Sequence, residues 1–329
     1  MPETFAVTDA VELAVVERSG FVESRHSGSA IVLDPDGGIL TALGAVETPI
    51  LPRSTLKPMQ ALASVTAGAN LEGAHLAVAT ASHSGTDRHV GLVTDILNSA
   101  GLAEDALQCP PAWPGDAAAR DEMTRELLGP QRVRMNCSGK HAAMLLACQA
   151  SGWDTATYLE AQHPLQVHTR EVIERLTGTK ITATAIDGCG APVYGMTLAA
   201  LARAIHRIGA SSERSPFALH RSAGTLVRAV RENPWVIQGP GLPDSIVTER
   251  LGVFAKHGAE GVMAMVAPNG TTVVLKMLDG SSRASAVTAL TLLVRAGALQ
   301  AADVARTLGD LPLTVTGGGR DVGVIRPTV

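Results

Sequence analysis

One serine–lysine spacing stands out. In Ser54-Thr55-Leu56-Lys57 a hydroxyl and an amine lie three residues apart, which on a helix puts them on one face. A hydroxyl is a poor nucleophile until a base takes its proton. A lysine can do so once burial or neighbouring cations favour its free amine. Pro58 limits how far a helix extends upstream, so Ser54 belongs near the N-terminal end, where oriented amides favour a developing oxyanion. The same serine also suits a plain helix N-cap. A second hydroxyl stands beside an imidazole in Ala81-Ser82-His83-Ser84-Gly85 and could act on a carbonyl, or form an ordinary Ser/Gly turn.

Cys137-Ser138-Gly139-Lys140-His141 and the later Asp187-Gly188-Cys189-Gly190 loop supply two thiols and nitrogen donors. Two thiolates and a nitrogen can hold zinc with a water in the fourth position. The spacing is not a CxxC pair, and free cysteines are also common core residues. Lys256, in Phe254-Ala255-Lys256-His257-Gly258, could reach a cleft or lie in a solvated loop. Arg53 suits a carboxylate and Asp187 an ammonium, so the two together suit a zwitterion.

Composition narrows the class. Hydrophobic residues make up 46% and the formal net charge is −4, too apolar and too nearly neutral for a disordered chain. That balance offers no basic face for nucleic acid. No run of about 20 apolar residues is present, so no membrane span is expected. Glu3 and Asp9 near the N-terminus, with no basic stretch before an apolar one, give no export signal. A cytoplasmic protein is expected, with Cys109, Cys137, Cys148 and Cys189 reduced.

The elements that would position these residues alternate in type. Residues 11–17, 21–25 and 29–33 read as strands, followed by the turn Asp34-Pro35-Asp36-Gly37-Gly38 and a returning strand at 39–43. Leu56, Met59, Leu62 and Val65 mark a helix. A short strand is expected at 77–80, helices at 89–100, 142–150 and 163–176, and a strand at 180–186. Helices follow at 196–208 and 216–231, then a Gly/Pro loop at 233–243. Residues 255–259 read as a turn, 261–267 and 272–277 as a hairpin around Asn269-Gly270, and 284–297 as a helix. Hairpins mixed with long helices predict an α+β fold, a mixed antiparallel sheet flanked by helices. A single domain over residues 1–329, which two sub-lobes could make up, is expected.

Taken in order, the motifs resemble one family. Pro52-Arg53-Ser54-Thr55-Leu56-Lys57-Pro58-Met59-Gln60, Ala81-Ser82-His83-Ser84-Gly85, Asn136-Cys137-Ser138-Gly139-Lys140-His141, Asp187-Gly188-Cys189-Gly190-Ala191-Pro192 and Lys256-His257-Gly258-Ala259-Glu260-Gly261 resemble rhizobial-type L-asparaginases. Glu23-Ser24-Arg25-His26-Ser27-Gly28 and Val322-Gly323-Val324-Ile325-Arg326-Pro327 extend the likeness over nearly the whole chain.

The resemblance implies a fold related to Ser–Lys penicillin-recognising enzymes and glutaminases, a homodimer, and hydrolysis of L-asparagine to L-aspartate and ammonia. It implies Ser54–Lys57 and Ser82–Lys256 as two Ser–Lys pairs, with Lys276 in a similar strand context as the alternative to Lys256. Cys137, Lys140 and Cys189 would hold zinc, which would position a substrate carboxylate or a water. Arg53, His83, Asp187 and Gly241 are the substrate-binding candidates. Ser54 is favoured as nucleophile, with Lys57 accepting its proton; the reverse order, with Ser82 attacking, stays open. A different amide, such as glutamine or a β-lactam, and a non-catalytic binding relative are the competing readings. The loop Gln238-Gly239-Pro240-Gly241-Leu242-Pro243-Asp244-Ser245 departs from the family at Leu242, where Arg is usual, and at Ser245, where Thr is usual. The Gly317-Gly318-Gly319-Arg320 tail is unusual as well.

Overall fold

Hairpins from both ends of the chain join one antiparallel sheet. A computed structural model describes residues 3–329; residues 1 and 2 of the expected domain lie outside the described residues. The strands are β1 (Val11–Arg18), β2 (Phe21–Leu33), β3 (Ile39–Leu43), β4 (Pro49–Ile50), β5 (Ala183–Ile186), β6 (Pro192–Thr197), β7 (Phe254–Gly258), β8 (Val262–Val266), β9 (Thr272–Met277), β10 (Thr314–Gly317) and β11 (Arg320–Pro327). The larger sheet has 8 strands in the order β10-β11-β1-β2-β9-β8-β7, with β3 also pairing β2. A smaller sheet runs β4-β6-β5.

Both faces of the larger sheet are covered, so its inner strands are apolar on both sides. In β8, Val262, Ala264 and Val266 join one core, while Met263 and Met265 join the other. This is the period-two alternation of a strand, with apolar residues at every position. Helices Lys57–Thr66, Gly73–Thr80, Ser138–Ser151, Leu198–Gly209 and Ala218–Glu232 contribute to the first core. Helix Ser285–Arg295 covers the other face. The α+β expectation, an antiparallel sheet flanked by helices, holds.

Several local expectations do not hold. Residues 77–80 belong to the helix Gly73–Thr80, not to a strand. A short run that is apolar but for its last residue, Thr80, carries no period, and here it is buried on all sides. Its neighbour comes very close: a Cβ built on Gly139 would lie 2.3 Å from the Val78 carbonyl oxygen. Residues 255–259 are not a turn, since residues 254–258 form β7, paired with β8 from Phe254↔Val266 to Gly258↔Val262. Strand β6 precedes the helix Leu198–Gly209, displacing the helix expected from residue 196. Helices Ala117–Arg125 and Pro243–Leu251 fall where loops or nothing had been assigned. Among the described residues no helix is long and apolar enough to cross a membrane.

Candidate active site

The lysines of this chain are few and mostly hidden. There are five, and Lys57, Lys140, Lys256 and Lys276 are buried, leaving only Lys180 exposed. Arginine supplies almost all the surface cations. Lysine, whose amine can lose its proton when buried, is concentrated inside.

Two of these lysines meet at one hydroxyl. Residues 53–56 form a short 3-10 turn, and Lys57 opens the following helix with its backbone N–H donated to the Ser54 carbonyl. Lys57 Nζ then reaches Ala81 O at 2.6 Å, Ser82 Oγ at 3.0 Å and Asn136 O at 3.2 Å. It is therefore engaged with Ser82 rather than with Ser54 one turn away. From β7, Lys256 Nζ reaches Ser82 Oγ at 2.8 Å and donates to His257 O at 2.6 Å. Lys276 is not part of this contact, because its Nζ donates to Glu260 O and Met277 O.

The partners constrain the protons. Carbonyls only accept, so Lys57 must donate to both Ala81 and Asn136. An ammonium would give its third hydrogen to Ser82 Oγ, whereas a neutral amine has two hydrogens for those carbonyls and one lone pair for the Ser82 O–H. Burial pulls Lys57 below its usual value and so moves it toward the neutral form. Burial likewise lowers Lys256, to about 7, with Lys57 adding to the shift and Asp244 opposing it. The Ser82 segment is held by its own backbone: Ser82 N–H donates to Ile237 O, His83 N–H to Asn136 O and Ser84 N–H to Gln238 O.

A thiol–amine cluster lies alongside. Cys137, Lys140 and Cys189 are buried, and Lys140 Nζ stands 3.2 Å from Cys189 Sγ. Cys137 Sγ donates to Asn136 Oδ1 at 3.0 Å; the two neighbouring thiols influence each other, Cys189 being drawn strongly down and Cys137 pushed well up. Burial pushes Lys140 down, but the charges of Cys189 and Cys137 outweigh it and hold the amine above its usual value. His141 Nδ1 meets the Tyr158 hydroxyl at 2.7 Å, while its Nε2 is buried without a hydrogen-bond partner. No group of three or more His, Cys, Asp or Glu side chains among the described residues is arranged to hold a metal. The donor set here is two thiols and an amine.

The family model for L-asparaginase II matches residues 14–327. The chain belongs to the L-asparaginase II family. As a member of it, the chain is an amidohydrolase acting on L-asparagine. No curated protein matches the sequence. Solved structures similar to this L-asparaginase II family member include a β-lactamase from Mycobacterium bovis, with 16% identity over 82% of this chain and 94% of that one at a TM-score of 0.44. Others are Mglu in its glutamate form, with 11% identity over 82% of this chain and 60% of that one at 0.48, and a Bacillus glutaminase, with 14% over 82% and 91% at 0.42. All fall below a TM-score of 0.5, and the assignment rests on the family match.

In this family member the two residues expected to hold a zwitterion hold each other. Arg53 Nε donates to Asp187 Oδ1 at 2.7 Å, and Arg53 Nη1 lies 3.8 Å from Glu260 Oε1. Arg53 adopts φ 52°, a left-handed backbone costly for a residue with a side chain. It lines a cavity of about 490 Å³ with Glu260 and Lys276. His83 Nε2 lies 2.9 Å from Ser138 Oγ, whose own proton goes to Val133 O. His83 must therefore donate from Nε2, which leaves Nδ1 a bare acceptor, buried without a partner. Gly241 sits in an exposed turn closed by Leu242 N–H donating to Gly239 O, and this places it in the loop rather than against Ser82.

Sequence reasoning missed Asn136 as an acceptor for Lys57, and missed Asp244. Asp244 is buried, and its Oδ2 accepts both the His257 backbone N–H at 2.8 Å and His257 Nδ1 at 2.7 Å. Burial works to raise this carboxyl, yet His257 and Lys256 hold it below its usual value.

Proposed function

We propose that hydrolysis of L-asparagine runs through an acyl-enzyme on Ser54, with Lys57, Ser82 and Lys256 as one proton path. The observation that carries this reading is the Ser82 hydroxyl held between two lysine amines, one of them rooted in the turn that carries Ser54.

The route balances as follows. With Lys256 neutral, Ser82 turns its proton to Lys256, and the Lys57 lone pair becomes free for Ser54. Ser54 Oγ bonds to the side-chain amide carbon as its proton passes to Lys57. The carbon–nitrogen bond breaks, and the leaving nitrogen takes a proton relayed from Lys57 by Ser82. Water then attacks the ester, its proton follows the same path, and aspartate leaves as Ser54 regains its hydrogen. General acid–base help of this kind contributes about 10²–10⁴ in rate. Arg53 and Asp187 exchange their mutual contact for the substrate carboxylate and ammonium.

Zinc belongs to the same proposal. Cys137, Lys140 and Cys189 fit it as buried sulfur and nitrogen donors, with Lys140 Nζ 3.2 Å from Cys189 Sγ. When bound, it supplies a fixed positive charge that positions a substrate carboxylate or a water. A homodimer and a cytoplasmic setting complete the proposal; the four free cysteines suit a reducing compartment.

A second reading makes Ser82 the attacking group, because its oxygen alone contacts both amines. Ammonia release from L-asparagine, with L-glutamine alongside, tests the reaction. Release from asparagine that Ser54→Ala abolishes supports it, and silence on asparagine rejects it.

A further inference from the structure

The Ser82–Lys256 contact is closed into a ring of hydrogen bonds by one residue outside it. β7 is the edge of the large sheet, so its outward N–H groups have no strand to pair with. Asp244 takes that place at His257, accepting from the backbone N–H and from the ring. The His257 carbonyl in turn accepts from Lys256 Nζ, which also meets Ser82 Oγ. On its other side, Asp244 N–H donates to Gln238 Oε1 at 2.8 Å. The backbone carbonyls of Ile237 and Gln238 accept from Ser82 and Ser84. The amine and the hydroxyl thus both trace back to Asp244, along two separate arms. The second carboxylate oxygen, Oδ1, is buried and unpartnered.

We propose that Asp244 is a positioning residue: by clamping β7 at His257 it sets where the Lys256 amine meets the Ser82 hydroxyl. This rests on the reading of Lys256 and Ser82 as parts of the proton path. An aspartate in the first turn of a helix also favours the helix dipole, but that role needs neither burial nor two bonds to His257. The charged and titratable groups acting on Lys256 are Asp244, Lys57 and Cys137. Removing the carboxylate charge therefore makes the Lys256 ammonium less favourable.

The test uses the full chain labelled with carbon-13 lysine, whose five lysines give few signals, with Lys256→Met identifying the one that matters. Asp244→Asn keeps an acceptor for His257 and removes the charge; Asp244→Ala removes both. The Lys256 titration midpoint is expected to fall by about one unit in Asp244→Asn. Turnover per folded molecule on L-asparagine is expected to fall about tenfold in Asp244→Asn and about a hundredfold in Asp244→Ala, with KM within about threefold. In Asp244→Asn, the rising limb of kcat/KM should move to lower pH with the titration midpoint. An unmoved Lys256 midpoint, or a loss of turnover that only tracks the unfolded fraction, overturns the proposal. A wild-type chain silent on asparagine would reject the reaction instead, and the lysine titration would still decide the role of Asp244.

Discussion

Lys57 and Lys256, far apart in the chain, share the hydroxyl of Ser82, their Nζ atoms 3.0 and 2.8 Å from its oxygen. One hydroxyl cannot give its single proton to two amines at once. The protonation of one lysine therefore governs what the other can accept.

That relationship sets the pH dependence. Lys256, lowered to about 7, must be neutral before Ser82 can turn toward it and release the Lys57 lone pair. The account predicts that kcat/KM rises with pH through about 7 and levels off above it. Lys256→Arg, whose guanidinium stays charged, should lose about a hundredfold or more in kcat. A profile that falls as pH rises through 7, or a Lys256→Arg enzyme with normal turnover, contradicts it.

In the proposed function Arg53 acts on binding. Its guanidinium, which reaches Asp187 through Nε, suits a planar carboxylate, and lysine offers only a point charge. Arg53→Lys should raise KM for L-asparagine about tenfold while leaving kcat within about threefold. Steady-state kinetics decide this, and a change confined to kcat would place Arg53 in the chemistry instead.

The thiol–amine cluster predicts how metal uptake depends on pH. Cys137 and Lys140 are both held above their usual values, so zinc must displace their protons. Zinc affinity should weaken as pH falls, and Cys189→Ala should retain less than one equivalent after dialysis, read by elemental analysis. Full metal content in Cys189→Ala would exclude this ligand set.

Gly139 couples packing to the site. A methyl there would meet Val78 O at 2.3 Å, and Lys140 is the next residue. Gly139→Ala should destabilise the fold by about 1–3 kcal/mol, seen as a lower urea midpoint. An unchanged midpoint would mean that the two helices separate freely.

Much of the fold was legible where periodicity and turn chemistry agree. The turn at residues 34–38 and the hairpin around Asn269-Gly270 lie where their residues point, and the Leu56–Val65 spacing gives the helix Lys57–Thr66. Legibility failed where apolar residues are buried on every side. Residues 77–80 have no polar face to reveal a helical period. Strand β7 carries a lysine and a histidine that read as solvated, yet Lys256 is fully buried.

The candidate motifs were legible in the sequence, but the contacts of their residues were not. The Ser54–Lys57 spacing suggests a local pair. The lysine side chain instead runs to Ser82, because the Ala81 and Asn136 carbonyls draw its amine there. No local pattern links Asp244 to His257, since that bond joins a helix start to a sheet edge. The scarcity of lysine was one signal available: four of the five are buried, and three of those four stand around Ser82 and the thiols.

The location of the acyl group tests the central claim most directly. L-asparagine would be mixed with the wild-type chain, quenched in acid within the first turnovers, and the peptides mapped by mass spectrometry. An aspartyl ester on the Ser54 peptide, with Ser82 unmodified, is the predicted result. An ester on Ser82 would contradict the account and make Ser82 the nucleophile.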